Sequence, residues 1–287
     1  MSHTVTVGAM SRTTTFWRSI EAIHDVVYFA PDAKQRYATI GLKGYWMGYM
    51  ASRSAALGMP PPALVVATFH GFAPSIVARA LPDAWGMASR DDILATRYDI
   101  ARDALAPALA DADTVRLAKE LSAITRGIDF AGKPLAAAHF ELPEPADDAG
   151  LLWHAATVIR EYRGDCHVAV LTAAGLDGAA ANSLAIAAGL IGEHQRELRG
   201  WTKDDWATAT SRLMTRGWVE SDGTITAAGR AARQQIEDAT DRVCAAGLGR
   251  EATGRMITIE QPLLELARGV EASGAVAFPN ATGVPRP

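Results

Sequence analysis

The chain has 287 residues, 49% hydrophobic and 21% charged, which is apolar material for two domains and a substantial core. A net charge of −4 excludes a global attraction to nucleic acid or to an acidic membrane surface. No charged-then-apolar leader is present and no uninterrupted apolar run reaches about 18 residues, so a cytoplasmic chain without a membrane partner is expected. Its cysteines, Cys166 and Cys244, lie far apart and outside any CxxC spacing, which suits a reduced compartment.

Taken in order, residues 1 to about 11 are small and polar and predict a loose end. From Thr15, residues Phe16, Ile20, Ile23 and Val27 recur at helical spacing until Pro31, with Glu21 and His24 on one face. A second helix near Tyr45 to Leu57 carries Trp46, Tyr49, Met50 and Arg53. Short helices follow Pro60 to Pro62, over 63–70 and 74–80. Ser89 with Asp92 caps a helix from Arg90 to about Leu109, where Pro107 predicts a kink or an earlier end. Asp113 opens another over 114–124, and 132–145 reads as irregular. The acidic, proline-bearing stretch from Glu141 to Asp148 marks a domain boundary. Past it, a helix over 151–162 breaks at Arg163-Gly164-Asp165, Asp165 caps a short helix over 166–174, and 179–188 is helical.

The most informative stretch is Trp201 to Thr240. Thr202 and Asp205 form a capping-box pair, flanked by Trp201 and Trp206 at staple positions. Trp206, Thr210, Leu213 and Met214 predict one buried face, and Gly217 a left-handed cap. Trp218 to Ser221 and Thr224 to Thr226 flank Asp222-Gly223, a strong hairpin signal. A closing helix then buries Ile236, Ala239 and Val243. Beyond Gly247 only a helix near 260–270 is expected, and 280–287 reads as a tail.

The run from Leu213 through Gly217, Trp218 and Val219 to Asp222-Gly223 and Arg230 resembles the second half of a MarR-like winged-helix domain. More widely, Trp17 to His24, Gly44 to Tyr49, Ala80 to Trp85 and Trp153 to His167 resemble an uncharacterised family of bacterial helix-turn-helix proteins, over residues 16 to about 245. The resemblance implies a mainly α fold. A multi-helix N-terminal domain over 12–143 would precede a winged-helix-like domain with a short β-hairpin wing over 150–273, and then a flexible tail over 274–287.

The charges argue against an easy DNA reader. Residues 200–244 hold Lys203, Arg212, Arg216, Arg230, Arg233 and Arg242 against seven acids, two of them (Asp204 and Asp205) at the start of the would-be recognition helix. Lys203, Arg212 and Arg216 are the candidate DNA contacts, and a homodimer could assemble a larger surface.

Two further clusters are candidate chemistry. Glu21 and His24 match half of a di-iron pattern, but no second Glu-x-x-His occurs, so a structural pair is the plainer reading. His154 and Glu161, seven apart on one helix face, and His167 beyond the break are expected to converge opposite Trp46 and Tyr49. They can contact an organic ligand, bind a metal, or satisfy buried groups. Tyr45, Trp46, Tyr49, Phe69, His70 and Phe72 read as either core or aromatic pocket wall. No phosphate-cradling loop, nucleophile elbow or zinc spacing is present, so neither a cofactor nor a reaction is assigned. The expectation is a ligand-responsive winged-helix protein, a transcriptional regulator with a small-molecule effector. The rival is the same scaffold diverted to small-molecule binding or catalysis, metal-dependent in one version.

Overall fold

The computed structural model describes residues 7–110, 112–277, 280, 286 and 287, with side chains from residue 15 onward. The fold is mainly helical. The helices are α1 (Val7–His24), α2 (Val26–Phe29), α3 (Ala33–Thr39), α4 (Gly44–Ser54), α5 (Pro62–Phe69), α6 (Pro74–Ala78), α7 (Ala84–Met87) and α8 (Arg90–Leu109). They continue with α9 (Thr114–Thr125), α10 (Pro134–Phe140), α11 (Asp148–Ala173), α12 (Gly178–Ala187), α13 (Gln195–Leu198), α14 (Lys203–Thr215) and α15 (Ala227–Ala272). No single described helix is long and apolar enough to cross a membrane.

Capping chemistry sets most starts. The side chains of Ser89, Asp113, Asp147, Asp177, Thr202 and Thr226 each accept a backbone N–H from the first turn that follows. At Thr202 the full capping box with Asp205 is closed. Trp201 and Trp206, on either side of that cap, are both half-buried. The Trp201 indole N–H donates to the Gly71 carbonyl at 3.0 Å.

Several expectations are corrected. The break at Arg163-Gly164-Asp165 does not occur, and α11 runs through it without interruption. Asp165 does not cap its own helix; its carboxylate accepts from the Leu135 and Ala136 N–H groups, each at 2.9 Å, and so caps α10 from the side. That bond explains why Pro134 to Phe140 is helical rather than irregular. The chain is helical from Val7, so the loose N-terminal end is shorter than expected, and residues 1–6 lie outside the described ones. The C-terminal helix begins at Ala227 and reaches Ala272, broken only where Gly249 adopts φ 73° and ψ 176°, backbone that glycine alone takes readily. Most of the expected tail over 280–287 lies outside the described residues.

The expected two-stranded wing is not formed. Among the described residues there are no strands, only an isolated antiparallel bridge between Val219 and Ile225. The turn is sound, with Asp222 accepting from the Thr224 N–H at 2.9 Å. The arms are too short for a ladder, because Thr226, which bonds Trp218 across the turn, is already the cap of α15. Buried Ala209 and Leu213 with half-buried Trp206 and Thr210 make the inner face of α14, whereas Met214 is exposed. On α15 the inner residues are Ile236, Thr240 and Cys244, while Val243 is exposed.

The apolar side chains form two cores. The larger runs from Phe16 to Cys166 and resumes from Cys244 to Val276, with α11 packed against α1, α8, α9, α10 and α15. The smaller joins Leu171, Leu176, Ala180 and Leu184 to Ala209, Leu213, Val219 and Ile236. Each such buried leucine contributes roughly 1.5–3 kcal/mol. The two long helices α11 and α15 are thus rooted in the helical body and carry a small helix-turn-helix unit, α12 with α14, at their far ends. Cys166 and Cys244, distant in sequence, are both free and buried where those two helices meet.

Candidate functional site

A cavity of about 640 Å³ lies where the unit meets the body. Tyr49, Phe69 and His70 supply one wall, α11 supplies Glu161, His167 and Leu171, and α12 supplies Ala181, Asn182 and Ala185. Arg233 and Glu237 of α15 close it. The link between the elements is narrow. The Gly71 carbonyl accepts from both the Asn182 side-chain amide at 2.8 Å and the Trp201 indole. Gly178 opens α12 so close to the body that a Cβ there would meet the His70 carbonyl oxygen at 2.1 Å.

The sequence-derived site residues divide among three places. Tyr49, Glu161 and His167 line this cavity. His154 does not; it lines a second cavity of about 390 Å³. The cause is α1. His24, fully buried, has Nδ1 3.0 Å from the hydroxyl of Thr157, which lies between His154 and Glu161, and Nε2 3.9 Å from Glu161. That imidazole separates the two residues despite their common helix face. Trp46 lines neither cavity and packs edge-on against Phe72 and Tyr49, both at 5.6 Å. Tyr45 and Phe72 also belong to that aromatic core, whereas Phe69 and His70 reach the cavity.

Glu161 is the electrostatic centre. Arg53 donates Nε and Nη2 to its two oxygens, each at 2.8 Å, and Arg160 donates to Oε2 at 2.8 Å. Arg160 also reaches Glu21 at 3.3 Å. Burial alone would raise the Glu161 pKa, but the two guanidiniums hold it well below the ordinary carboxylate value. A carboxylate so occupied orients arginines and is poorly placed to carry a proton. Burial depresses the His167 pKa to about 4. The Thr240 hydroxyl gives its proton to the Ile236 carbonyl, so His167 Nδ1, 2.9 Å from that hydroxyl, is the donor between them. This leaves Nε2 as an acceptor. Among the described residues no cluster of His, Cys, Asp and Glu is arranged to hold a metal ion, and His154, Glu161 and His167 do not form one.

Sequence reasoning missed most of the cavity's cations. Arg53, Arg160, Arg163 and Arg199 all line it, with Arg53 and Arg199 stacked 4.3 Å over Phe69 and Phe72. Arg53 was visible on the inner face of α4, four residues past Tyr49; nothing local marked Arg199.

The candidate DNA contacts lie elsewhere, on and beside α14. Lys203 is exposed at its start beside Asp204 and Asp205. Arg212 pairs with Asp177, the cap of α12, and remains about half exposed at 52%. Arg216 donates to the carbonyls of Ala174 at 2.9 Å and Gly175 at 3.0 Å, and its guanidinium lies over Trp218. Both arginines therefore tie the helix-turn-helix unit together.

A helical body carrying a packed helix-turn-helix pair with a cavity behind its first helix defines a helix-turn-helix protein. The chain belongs to a helix-turn-helix family, whose sequence profile matches residues 13–277. No curated protein and no solved structure matches it at a significant level.

Proposed function

We propose that the protein is a DNA-binding regulator whose helix-turn-helix unit responds to a small molecule held in the 640 Å³ cavity. One observation carries this reading: Asn182 of α12 both lines the cavity and hydrogen-bonds the body at Gly71. A ligand filling the cavity would press on the first helix of the DNA-binding pair, and differential contacts of that kind are what shift a two-state equilibrium. Tyr49, Glu161 and His167 are the proposed ligand contacts, with Arg53 and Arg160 held in place by Glu161. We keep the soft division of the chain at the acidic stretch from Glu141 to Asp148, between an N-terminal helical part over 12–143 and a part over 150–273 that carries the helix-turn-helix unit. Lys203, Arg212 and Arg216 are the proposed phosphate contacts, presented in pairs by a homodimer.

The experiment is selection of genomic DNA fragments by the purified protein, followed by sequencing of the bound pool. Enrichment of a recurrent site supports the regulator. Val168→Trp, which adds an indole to the cavity wall, should then change affinity for that site. A recurrent site bound equally by both proteins would separate the cavity from DNA binding and leave the DNA-binding reading standing.

A further inference from the structure

The second cavity has a different character. It is lined mainly by apolar groups, among them Leu94, Leu142 and Trp153, with His139 and His154 beside them and Arg97 on its wall. Arg97 is 1% exposed, yet none of its three side-chain nitrogens has a hydrogen-bond partner. Tyr28 and Trp153 face the guanidinium at 4.9 and 5.2 Å, which covers its π faces and leaves its N–H edges unsatisfied. The Tyr37 phenol, also without a well-formed hydrogen bond, lies within polar reach of the guanidinium and of Ser52, but it is neutral and brings no counter-charge. His139 Nε2, equally buried, has no partner either.

A buried guanidinium without a counter-charge is costly, and native proteins pair such groups. The cavity's own carboxylates do not serve. Glu144 is bonded to Ser122 at 3.0 Å and to Arg126, and Asp147 to Tyr98 and the Gly150 N–H. Among the described residues no carboxylate lies within ion-pair distance of Arg97.

We propose that this cavity is a second ligand site, for a small organic monocarboxylate with an apolar body, whose carboxylate pairs with Arg97 and accepts from His139. The charge balance selects a monoanion. Arg97 is the one cation on the wall and makes no ion pair, and both imidazoles are kept neutral by burial. Asp147 on the same wall keeps its own negative charge among neutral donors, so a single carboxylate is the most the site can balance and a dianion such as phosphate brings too much negative charge. The walls of leucine, proline and tryptophan select the apolar body. The site stands on its own observations and does not depend on DNA binding.

Isothermal titration of the full chain with benzoate and hexanoate tests it, with benzamide, hexanamide and inorganic phosphate as controls. The expected result is saturable one-to-one binding of at least one carboxylate, with the matching amide and phosphate at least about tenfold weaker, as loss of a charge-assisted pair requires. Arg97→Met should abolish that binding. Because a core substitution can disturb folding, Leu142→Trp at the half-buried rim is the second variant, expected to fold normally and, by filling the cavity, to weaken binding by at least about tenfold. Absence of saturable carboxylate binding, equal binding of the amide, or full binding by folded Leu142→Trp would each overturn the assignment.

Discussion

Arg53 and Glu161, 108 residues apart in the chain, meet in two parallel hydrogen bonds of 2.8 Å, with Glu161 fully buried and Arg53 nearly so. This fork fixes α4 to α11 and holds the floor of the larger cavity. Glu161→Ala would leave Arg53 without its anion and Arg160 with Glu21 alone. Breaking a buried pair from one side costs about 3–5 kcal/mol, so urea unfolding should show a loss of that order. A loss under about 1 kcal/mol would mean that water or Glu21 replaces the carboxylate.

His139 gives the fold a pH dependence. Burial, then the nearby Arg97 charge, pushes its pKa down to about 3. An unfolded imidazole titrates near 6.5. Between those values the unfolded chain binds a proton that the folded one does not, so this residue's contribution is intact above about pH 6.5 and is lost as pH falls toward 3. His139→Gln should flatten the stability profile in that window, by up to about 1.4 kcal/mol per pH unit. Unfolding curves from pH 7 to 4.5 read this directly, and an unchanged slope would contradict it.

Gly178 tests the junction between body and helix-turn-helix unit. Any side chain there strikes the His70 carbonyl, which is backbone and cannot swing away. Gly178→Ala should cost about 1–3 kcal/mol, as overpacking does, and should raise amide exchange in α12 before α9. Uniform exchange across the chain would show that the junction does not open separately from the body.

The local chemistry of this fold was legible; its long-range pairings were not. The caps at Ser89, Asp113 and Thr202 and the left-handed Gly217 each depend on residues within one turn, and each is formed. Asp165 shows the opposite case. Its neighbours Gly164 and Arg163 suggest a break, yet the packing of α11 against α9 and α10 keeps the helix continuous and gives the carboxylate a partner 30 residues upstream. The site followed the same division. Spacing put His154, Thr157 and Glu161 on one side of a helix, but only the tertiary fold could bring His24 from α1 against Thr157 and Glu161. Arg97 had a usable signal, falling four residues after Ile93 and four before Ala101 on the buried face of α8.

Asp165→Ala removes the acceptor for two backbone N–H groups at the start of α10. Two unsatisfied buried donors should cost about 1–3 kcal/mol or more. Asp165→Asn keeps one acceptor oxygen and should recover part of that loss in the same thermal unfolding experiment. Equal loss in both variants would indicate that the negative charge, rather than the hydrogen bonds, is what α10 requires.

The most direct measurement is fluorescence anisotropy of duplex genomic fragments titrated with the protein at low salt, then at rising salt. Binding should weaken as salt rises. The log–log slope should fall by about one unit for each phosphate that Lys203→Ala or Arg212→Ala no longer neutralises. Failure to bind any fragment at low salt, with the protein shown to be folded, would contradict the assignment of this helix-turn-helix unit to DNA.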